Sequence, residues 1–314
     1  MRATHGFMAG LTAVCLLATW QGLAGTYYVA QQDPKAADTN AGTADLPWKT
    51  IQRGLKGIQP GDTVYVKQGT YREYIILSST PRDGCPAVPA GKSYGQMIAF
   101  AGWPGDEVII KGSDVVTGWK PHKEKIWVTD SCPEPKLYTL LFCDGKRLQL
   151  IGDGGGSLVE SIKGWGGTAE VWEGKKGAKL EDLEAGSYFY DRATKKLYVW
   201  LADGSDPSKH LMEASVRGGF DVQVDFARVS GFKILHGSAS LSASYGIMED
   251  CESSDAAWGG FGMYGKFNTI LRCKFNRNGD TGISGAGRGH RFVNCETSYN
   301  NFLKISPGWH AGGV

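Results

Sequence analysis

Three cysteines recur at an interval of 22 residues in the last third of the chain, at positions 251, 273 and 295. Other positions keep the same interval. The aligned sets are Ile270, Phe292 and Val314; Ser253, Phe275 and Thr297; Phe261, Ile283 and Ile305; Asn278 and Asn300; and Gly260 and Gly282. A segment of this length cannot bury its own apolar face. The repeat therefore predicts a solenoid in which each coil holds about three short strands.

Stacked coils turn each repeated position into a ladder, because parallel strands lie about 4.8 Å apart. The cysteine ladder is predicted to pack in the core, with a disulfide or metal ladder as the alternative. Asp250 stacks under Arg272, and Lys274 falls between Glu252 and Glu296. These charges are predicted to form exposed pairs that fix the register and stabilise the fold by at most about 1 kcal/mol each.

The rhythm changes between residues 113 and 215. The stretch "LYTLLFCDGKRLQLI" predicts a hairpin with Asp144-Gly145 at its turn. The stretch "SYFYDRATKKLYVWL" predicts a second hairpin, with Tyr188–Tyr190 against Leu197–Leu201. We therefore predict an inserted antiparallel β subdomain over residues 113–215. Residues 26–112 would form the N-terminal cap and first rungs, and residues 216–314 the later rungs.

A helix is predicted over Pro47–Lys56, with Asp45 as its N-cap. Its apolar residues Trp48, Ile51 and Leu55 fall on one face. The segments "TVYVKQGTYRE" and "MIAFAGWPGDEVIIKGSD" each predict a strand, a turn and a strand.

The first 25 residues have the pattern of a signal peptide. Met1 and Arg2 precede an apolar run from Phe7 to Trp20, which is short for a membrane span. Cleavage is predicted after Ala24 or Gly25, with an uncleaved anchor helix as the alternative. The mature chain is expected to be secreted, periplasmic or on the cell surface, with no later membrane span.

The charge balance argues against a nucleic-acid partner. The chain has 34 Lys and Arg against 32 Asp and Glu, with no basic run. Its 45 glycines in 314 residues fit a strand-rich and turn-rich protein. An exported chain permits a Cys85–Cys132 or a Cys132–Cys143 disulfide. No Cys-x-x-Cys spacing occurs, so the sequence does not indicate a zinc site.

The mature N-terminus resembles a known group. The stretch "YYVAQQDPKAADTNAGTADLPWKTIQRGLKGIQPGDTVYVKQGTYRE" is similar to the signature of secreted right-handed parallel β-helix proteins, the pectate-lyase-like superfold. The stretches "VIIKGSDVVTGWKPHKEKIWV", "FCDGKRLQL" and "GSYFYDRATKKLYVWLADGSDP" resemble β-helix glycoside hydrolases of the β-xylosidase type, which carry an inserted β-sandwich. The resemblance implies an all-β, right-handed parallel β-helix, a helix that caps its open end, and a poly- or oligosaccharide substrate.

Two departures from that group affect the expected activity. In "GWHAGGV", His310 stands where those glycosidases often have an acidic residue. The chain also stops at Val314, in the middle of a rung. We therefore expect the sequence to be the front part of a longer protein, and this part to be inactive alone.

Glycoside hydrolysis needs two carboxylates across the scissile bond. Asp280 and Asp255 are the carboxylate candidates, Trp258 could stack on a sugar, and His310 is a third catalytic candidate. Glu249 and Asp250 lie in the same rungs but form no pair with a spacing that forces them onto one site. The alternative interpretation of Asp280 and Asp255 is that they are solvated turn residues.

A polysaccharide lyase acting on a uronate-containing glycan is the alternative enzyme. It needs cations against the substrate and a base for the α-proton. Lys266, Arg288 and His310 share one column, with His290 close by and Trp309 beside it. These residues are candidates for substrate binding, or else solvated loop charges.

Two further possibilities remain open at this stage. Asp250, Glu252 and Asp255 could bind Ca²⁺, and no other cofactor is expected. A non-catalytic carbohydrate-binding β-helix on the cell surface would have the same fold as either enzyme.

Overall fold

The computed structural model describes residues 24–133, 140–153 and 175–304. The predicted signal peptide, apart from its last two residues, lies outside this range, as do Ile305, Trp309, His310 and Val314. Within the described residues, no helix has the length and apolar character needed to cross a membrane.

The solenoid has three parallel sheets. Sheet A contains Thr26–Val29 (β1), Thr63–Val66 (β2), Ile98–Gly102 (β5), Ala227–Ser230 (β17), Ile247–Glu249 (β20), Thr269–Leu271 (β23) and Arg291–Val293 (β26). Sheet B contains Gly69–Tyr71 (β3), Val108–Lys111 (β6), Phe232–Leu235 (β18), Glu252–Ser254 (β21), Lys274–Asn276 (β24) and Glu296–Ser298 (β27). Sheet C contains Ile75–Leu77 (β4), Phe220–Val222 (β16), Ala239–Ser242 (β19), Phe261–Tyr264 (β22) and Ile283–Gly285 (β25). The predicted all-β parallel β-helix is confirmed.

The spacing between paired residues is not uniform along the solenoid. Phe261 pairs with Ile283, a separation of 22 residues, whereas Phe220 pairs with Ala239, a separation of 19. The difference lies in the loop from sheet B to sheet C. This loop spans residues 236–238 in the shorter rung and 255–260 in the next.

The cysteine column packs inside the solenoid, as predicted. Cys251 and Cys273 belong to the buried core, and Cys295 packs against it. Their thiols face backbone carbonyl oxygens, for example the Cys251 Sγ to Glu249 O contact of 3.2 Å. All six cysteines among the described residues are free, so neither a disulfide ladder nor a Cys85–Cys132 or Cys132–Cys143 bridge is formed.

The turn from sheet A to sheet B uses a left-handed residue in each of the later rungs. Gly231, Asp250, Arg272 and Asn294 occupy this position, with φ between 52° and 73°. Left-handed backbone is tolerated best by Gly, Asn and Asp. The Arg272 guanidinium donates to both Asp250 carboxylate oxygens at 2.7 Å, which confirms the predicted pair.

The second predicted charge ladder keeps its backbone register. Lys274 pairs with Glu252 on one side and with Glu296 on the other. The Glu252 carboxylate, however, forms its ion pair with Arg277, at 3.4 Å.

The N-terminal helix is shorter than predicted. It covers Ile51–Gly54 (α1), and its N-cap is Thr50 rather than Asp45. The predicted first turn is extended instead, because the Trp48 backbone N–H donates to the Tyr28 carbonyl beside β1. The predicted apolar face is correct, since Trp48, Ile51 and Leu55 are all buried in the main core. The capping role of this helix stays a prediction.

The strands between residues 113 and 215 pair only with one another. They are Ser113–Val115 (β7), Lys120–Lys123 (β8), Ile126–Thr129 (β9), Leu141–Cys143 (β10), Lys146–Arg147 (β11), Gln149–Ile151 (β12), Ser187–Asp191 (β13), Lys196–Trp200 (β14) and Met212–Ser215 (β15). Both predicted hairpins, β10–β11 and β13–β14, are present and antiparallel. The β12–β13 pair is parallel, an exception to the predicted antiparallel pairing. We call this region the insert.

Apolar and ionic contacts hold the insert against the solenoid. Phe302 and Trp258, in loops of the solenoid, pack on the core of the insert, and Arg147 of the insert lies 3.3 Å over the Phe302 ring. Glu213, at the end of the insert, is fully buried and accepts hydrogen bonds from two solenoid cations. The insert therefore covers the side of the solenoid on which the loops from sheet B to sheet C lie.

Candidate functional site

The outer face of sheet C carries a column of small and polar residues. Alternation along each strand sends Phe220 and Val222 into the core and Asp221 outward. The residues in register with Asp221 on successive strands are Ser240, Gly262 and Ser284. We call Asp221, Ser240, Gly262 and Ser284 the sheet C column.

Asp221 is held in place by two hydroxyl donors. Tyr74 donates to Oδ2 at 2.5 Å, and Ser240 donates to Oδ1 at 2.7 Å. Burial and the neighbouring Asp221 charge raise the pKa of Tyr74 well above its usual value, so its hydroxyl stays protonated. A carboxylate oxygen has two lone pairs, so each oxygen can accept a further hydrogen bond from a ligand hydroxyl.

Gly262 leaves a gap in the sheet C column. A Cβ at this position would meet the Ser240 Cβ and the Tyr264 ring, both at 3.5 Å. Tyr264 is 47% exposed at the next outward position of the same strand. The column therefore combines a carboxylate, hydroxyl groups, an open space and an exposed aromatic ring, which are the elements of a site for a polar ring-shaped ligand.

The predicted catalytic residue Asp280 is not a solvated turn residue. It is 3% exposed, because the next rung covers its loop. The Asn301 backbone N–H donates to the Asp280 carbonyl at 2.6 Å, and the Leu303 N–H donates to the Gly279 carbonyl at 3.1 Å. Asp280 lies three residues before Ile283, the first residue of β25, on the insert side of sheet C.

Asp255 lies one rung below Arg277 and forms an ion pair with it. The Arg277 Nη2 to Asp255 Oδ2 distance is 2.8 Å. Glu252 contacts the same guanidinium, and Asp250 is bound by Arg272. Arginines thus engage all three carboxylates of the predicted calcium site, and these carboxylates contact two different guanidinium groups.

Trp258 lies at the junction between solenoid and insert. Its side chain is half-buried and packs against the core of the insert. The insert therefore covers part of the ring that was predicted to stack on a sugar.

Two members of the predicted cationic column lie together on the other side of sheet C. Lys266 and Arg288 form a parallel backbone bridge, and both are exposed. His290 is half-buried in the same loop as Arg288, and its Nδ1 accepts a hydrogen bond from the Asn268 backbone N–H at 3.3 Å. The remaining members, Trp309 and His310, lie outside the described residues. Sheet C thus separates the predicted carboxylates from the predicted cations.

The sequence prediction missed Asp221, Tyr74 and Ser240. Asp221 pairs with Ser240 across the 19-residue rung, so the 22-residue register does not reach it. The alternation in "GFDVQV" was a usable signal, since it places one acidic residue between buried apolar neighbours.

Comparison with known proteins gives the fold class. No family model matches the chain. It is similar to the structure of XylC in complex with xylose, with a TM-score of 0.70, 17% identity, and coverage of 92% of this chain and 56% of XylC. It is also similar to the structure of a glycoside hydrolase, with a TM-score of 0.61, 12% identity, and coverage of 88% and 73%. At these identities the likeness concerns the fold, and it confirms the parallel β-helix that the sequence predicts.

One curated relative matches a short part of the sequence. It is the uncharacterized protein YwoF of Bacillus subtilis (strain 168), which is 28% identical over 82 residues. The match covers 26% of this chain and 15% of YwoF. The chain therefore spans about half the length of XylC and a small part of YwoF.

Proposed function

We propose that this chain is an exported carbohydrate-active β-helix protein that binds an oligo- or polysaccharide along the outer face of sheet C and takes part in glycoside hydrolysis. The observation that carries the proposal is Asp221, held by two hydroxyls in a column of small residues beside the exposed Tyr264 ring. The fold shared with XylC, whose structure contains xylose, and with a glycoside hydrolase supports the same class of ligand.

The proposed recognition follows from the chemistry of a sugar. Hydroxyl groups of the glycan donate to Asp221 and bond to Ser240 and Ser284, while one pyranose face lies on Tyr264. Hydrolysis needs a second carboxylate. Asp280, buried in the loop that leads into β25, is the residue that we propose for it.

Titration calorimetry of the full chain with xylo-oligosaccharides tests the binding step. Asp221→Asn is expected to weaken binding by roughly tenfold or more, because a hydrogen bond to a charged group contributes about 1.5–3 kcal/mol. Asp45→Asn, at an exposed aspartate of the N-terminal loop, and Ser230→Ala, at an outward serine of sheet A, are matched controls. Unchanged affinity for Asp221→Asn and Ser240→Ala would contradict the proposal, as would the absence of binding to any glycan tested.

One observation favours a second candidate, a lyase acting on an acidic glycan. Lys266 and Arg288 are exposed, adjacent cations on the edge of sheet C. If this candidate is right, oligogalacturonides bind more tightly than xylo-oligosaccharides, and ultraviolet-absorbing unsaturated products form. Lys266→Met would then weaken binding of the acidic glycan and leave the neutral one unchanged. Glycan binding without any product would indicate a non-catalytic binding protein.

A further inference from the structure

Four polar side chains of the insert converge at one edge of the sheet that contains β10 and β15. Cys143 ends β10 and pairs with Met212 of β15, and Asp144 follows it in the hairpin turn. His210 lies two residues before Met212, in a segment that also brings Ser205 to the site. The ligand atoms of Cys143, Asp144 and His210 all lie within 4.8 Å of one another.

The backbone fixes this arrangement. The Asp144 N–H donates to the Leu211 carbonyl at 3.0 Å, and the Leu211 N–H donates to Asp144 Oδ1 at 2.9 Å. The paired strands and these two bonds hold the turn against the His210 segment. Donor groups that are carried on paired strands are held more precisely than donor groups on free loops.

The hydrogen atoms at His210 can be assigned by elimination. Ser205 has one hydroxyl hydrogen but two neighbouring acceptors, Asp203 Oδ1 at 2.6 Å and His210 Nε2 at 2.8 Å. The charged carboxylate is the stronger acceptor, and the Ser205 hydroxyl lowers the pKa of Asp203 accordingly. The hydrogen therefore goes to Asp203, and His210 Nε2 must carry a hydrogen of its own and donate to Ser205.

This assignment places a demand on the other ring nitrogen. His210 Nδ1 lies 2.7 Å from Asp144 Oδ2. With Nε2 protonated, a neutral ring would point the Nδ1 lone pair at a carboxylate oxygen, which is repulsive. A cation is needed between them, either a second proton or a metal ion. Within the described part of the chain, no Lys or Arg forms an ion pair with Asp144 or Asp203.

We propose that Cys143, Asp144 and His210 bind a divalent transition-metal ion of the zinc class. Thiolate, imidazole and carboxylate are the ligand types that Zn²⁺ takes in proteins, whereas Ca²⁺ and Mg²⁺ take oxygen ligands. Three protein ligands leave a fourth position for water or another ligand.

Protons balance in the proposed binding step. The Cys143 S–H bond breaks, a sulfur–metal bond forms, and the proton goes to solvent. The metal takes the Nδ1 lone pair of His210 and an oxygen of Asp144, so any proton held between them is released as well. His210 Nε2 keeps its hydrogen bond to Ser205, which in turn keeps its bond to Asp203. This outer chain fixes the orientation of the ring, as partners of metal-bound histidines do elsewhere.

The site is independent of the glycan proposal, since none of its residues belongs to the sheet C column. The zinc reading also differs from the sequence expectation, which found no zinc spacing. Cys143 and His210 are 67 residues apart and meet only through the pairing of β10 with β15.

The test uses the full chain after treatment with a chelator. Zn²⁺ is titrated by calorimetry, and Co²⁺ is titrated as a spectroscopic probe. We expect one equivalent of either ion, a thiolate-to-cobalt charge-transfer band, and no stabilisation by Ca²⁺. Cys143→Ser is expected to abolish the band, and Asp144→Asn and His210→Gln to weaken zinc binding at least tenfold.

Matched controls separate ligation from general effects of substitution. Cys295→Ser changes another half-buried cysteine, and His122→Gln changes an exposed histidine of the insert. Both should bind Zn²⁺ and Co²⁺ as the parent does, and thermal unfolding checks that every variant is folded. If the folded parent binds no zinc at one equivalent, the site holds only a proton and the proposal is wrong. Full retention of the cobalt band in Cys143→Ser would also overturn it.

Discussion

Replacing Glu213 by Gln tests how the insert is attached to the solenoid. The Glu213 carboxylate is fully buried, and it accepts from Lys111 Nζ at 2.6 Å and from Arg72 Nη2 at 2.6 Å. Gln keeps the size of the side chain but removes its charge. The two cations, 13% and 27% exposed, then lose their counter-charge in a site that water reaches poorly.

The expected loss is about 3 kcal/mol of unfolding free energy. Removing one partner of a buried ion pair costs about 3–5 kcal/mol, and the partial exposure of Arg72 favours the lower end. Urea unfolding, followed by far-ultraviolet circular dichroism, measures the change. Glu107→Gln is the matched control, since Glu107 pairs with Lys233 where both side chains are exposed, and its expected loss is below about 1 kcal/mol.

The two variants together decide the result. A loss for Glu213→Gln no larger than the loss for Glu107→Gln would refute the view that the buried carboxylate fastens the insert. A reduced slope of the urea transition would mean that insert and solenoid unfold separately, and each transition would then be compared by itself.

The remaining predictions concern pH and a buried amide. Burial, followed by the Lys111 charge, lowers the pKa of His236 from its usual 6.5 to about 4. The unfolded chain thus binds the proton first, so stability falls as pH falls from 6.5 to about 4, by at most about 3 kcal/mol. His236→Gln should flatten this slope, whereas His122→Gln should leave it unchanged, and urea titrations across that range measure both. Asn268→Ala should cost about 3 kcal/mol, because the buried side chain accepts from Gly246 N–H and donates to the Ala243 and Tyr264 carbonyls. An Asn268→Ala loss below about 1 kcal/mol in the same assay would show that water replaces these bonds.

The Glu213 carboxyl adds to acid sensitivity in a lower pH range. Burial alone would raise its pKa, but hydrogen bonds from Lys111 and Arg72 outweigh burial and hold the pKa below the ordinary value of 4.5. Its contribution is therefore present above pH 4.5 and is lost as pH falls through the lowered pKa. The Glu213→Gln variant should lack this part of the pH dependence.

The repeat predicted the solenoid because a column of equivalent residues has a direct physical cause, the stacking of strands. Cys251 and Cys273 proved to be core residues for that reason. The same argument could not predict the 19-residue rung, since a loop can lose residues without changing the strands that it joins. It also could not reveal that Asp280 is buried, because the covering segment comes from the following rung.

The N-terminal helix shows how local preference yields to tertiary pairing. Asp45 and the apolar spacing predicted a longer helix, but the backbone at Trp48 pairs with β1 instead. Thr50 then becomes the first residue that can cap a helix. The candidate site had a similar limit, since Tyr74 and Asp221 are 147 residues apart and meet only after the insert has been bypassed.

The most direct test of the account is a crystal structure of the full chain soaked with a xylo-oligosaccharide. The account predicts a sugar ring over Tyr264, with a hydroxyl within hydrogen-bonding distance of Asp221 and the chain of sugars running along the sheet C column. A sugar bound on another face of the solenoid or on the insert, with Asp221 and Ser240 bonded only to each other and to Tyr74, would contradict it.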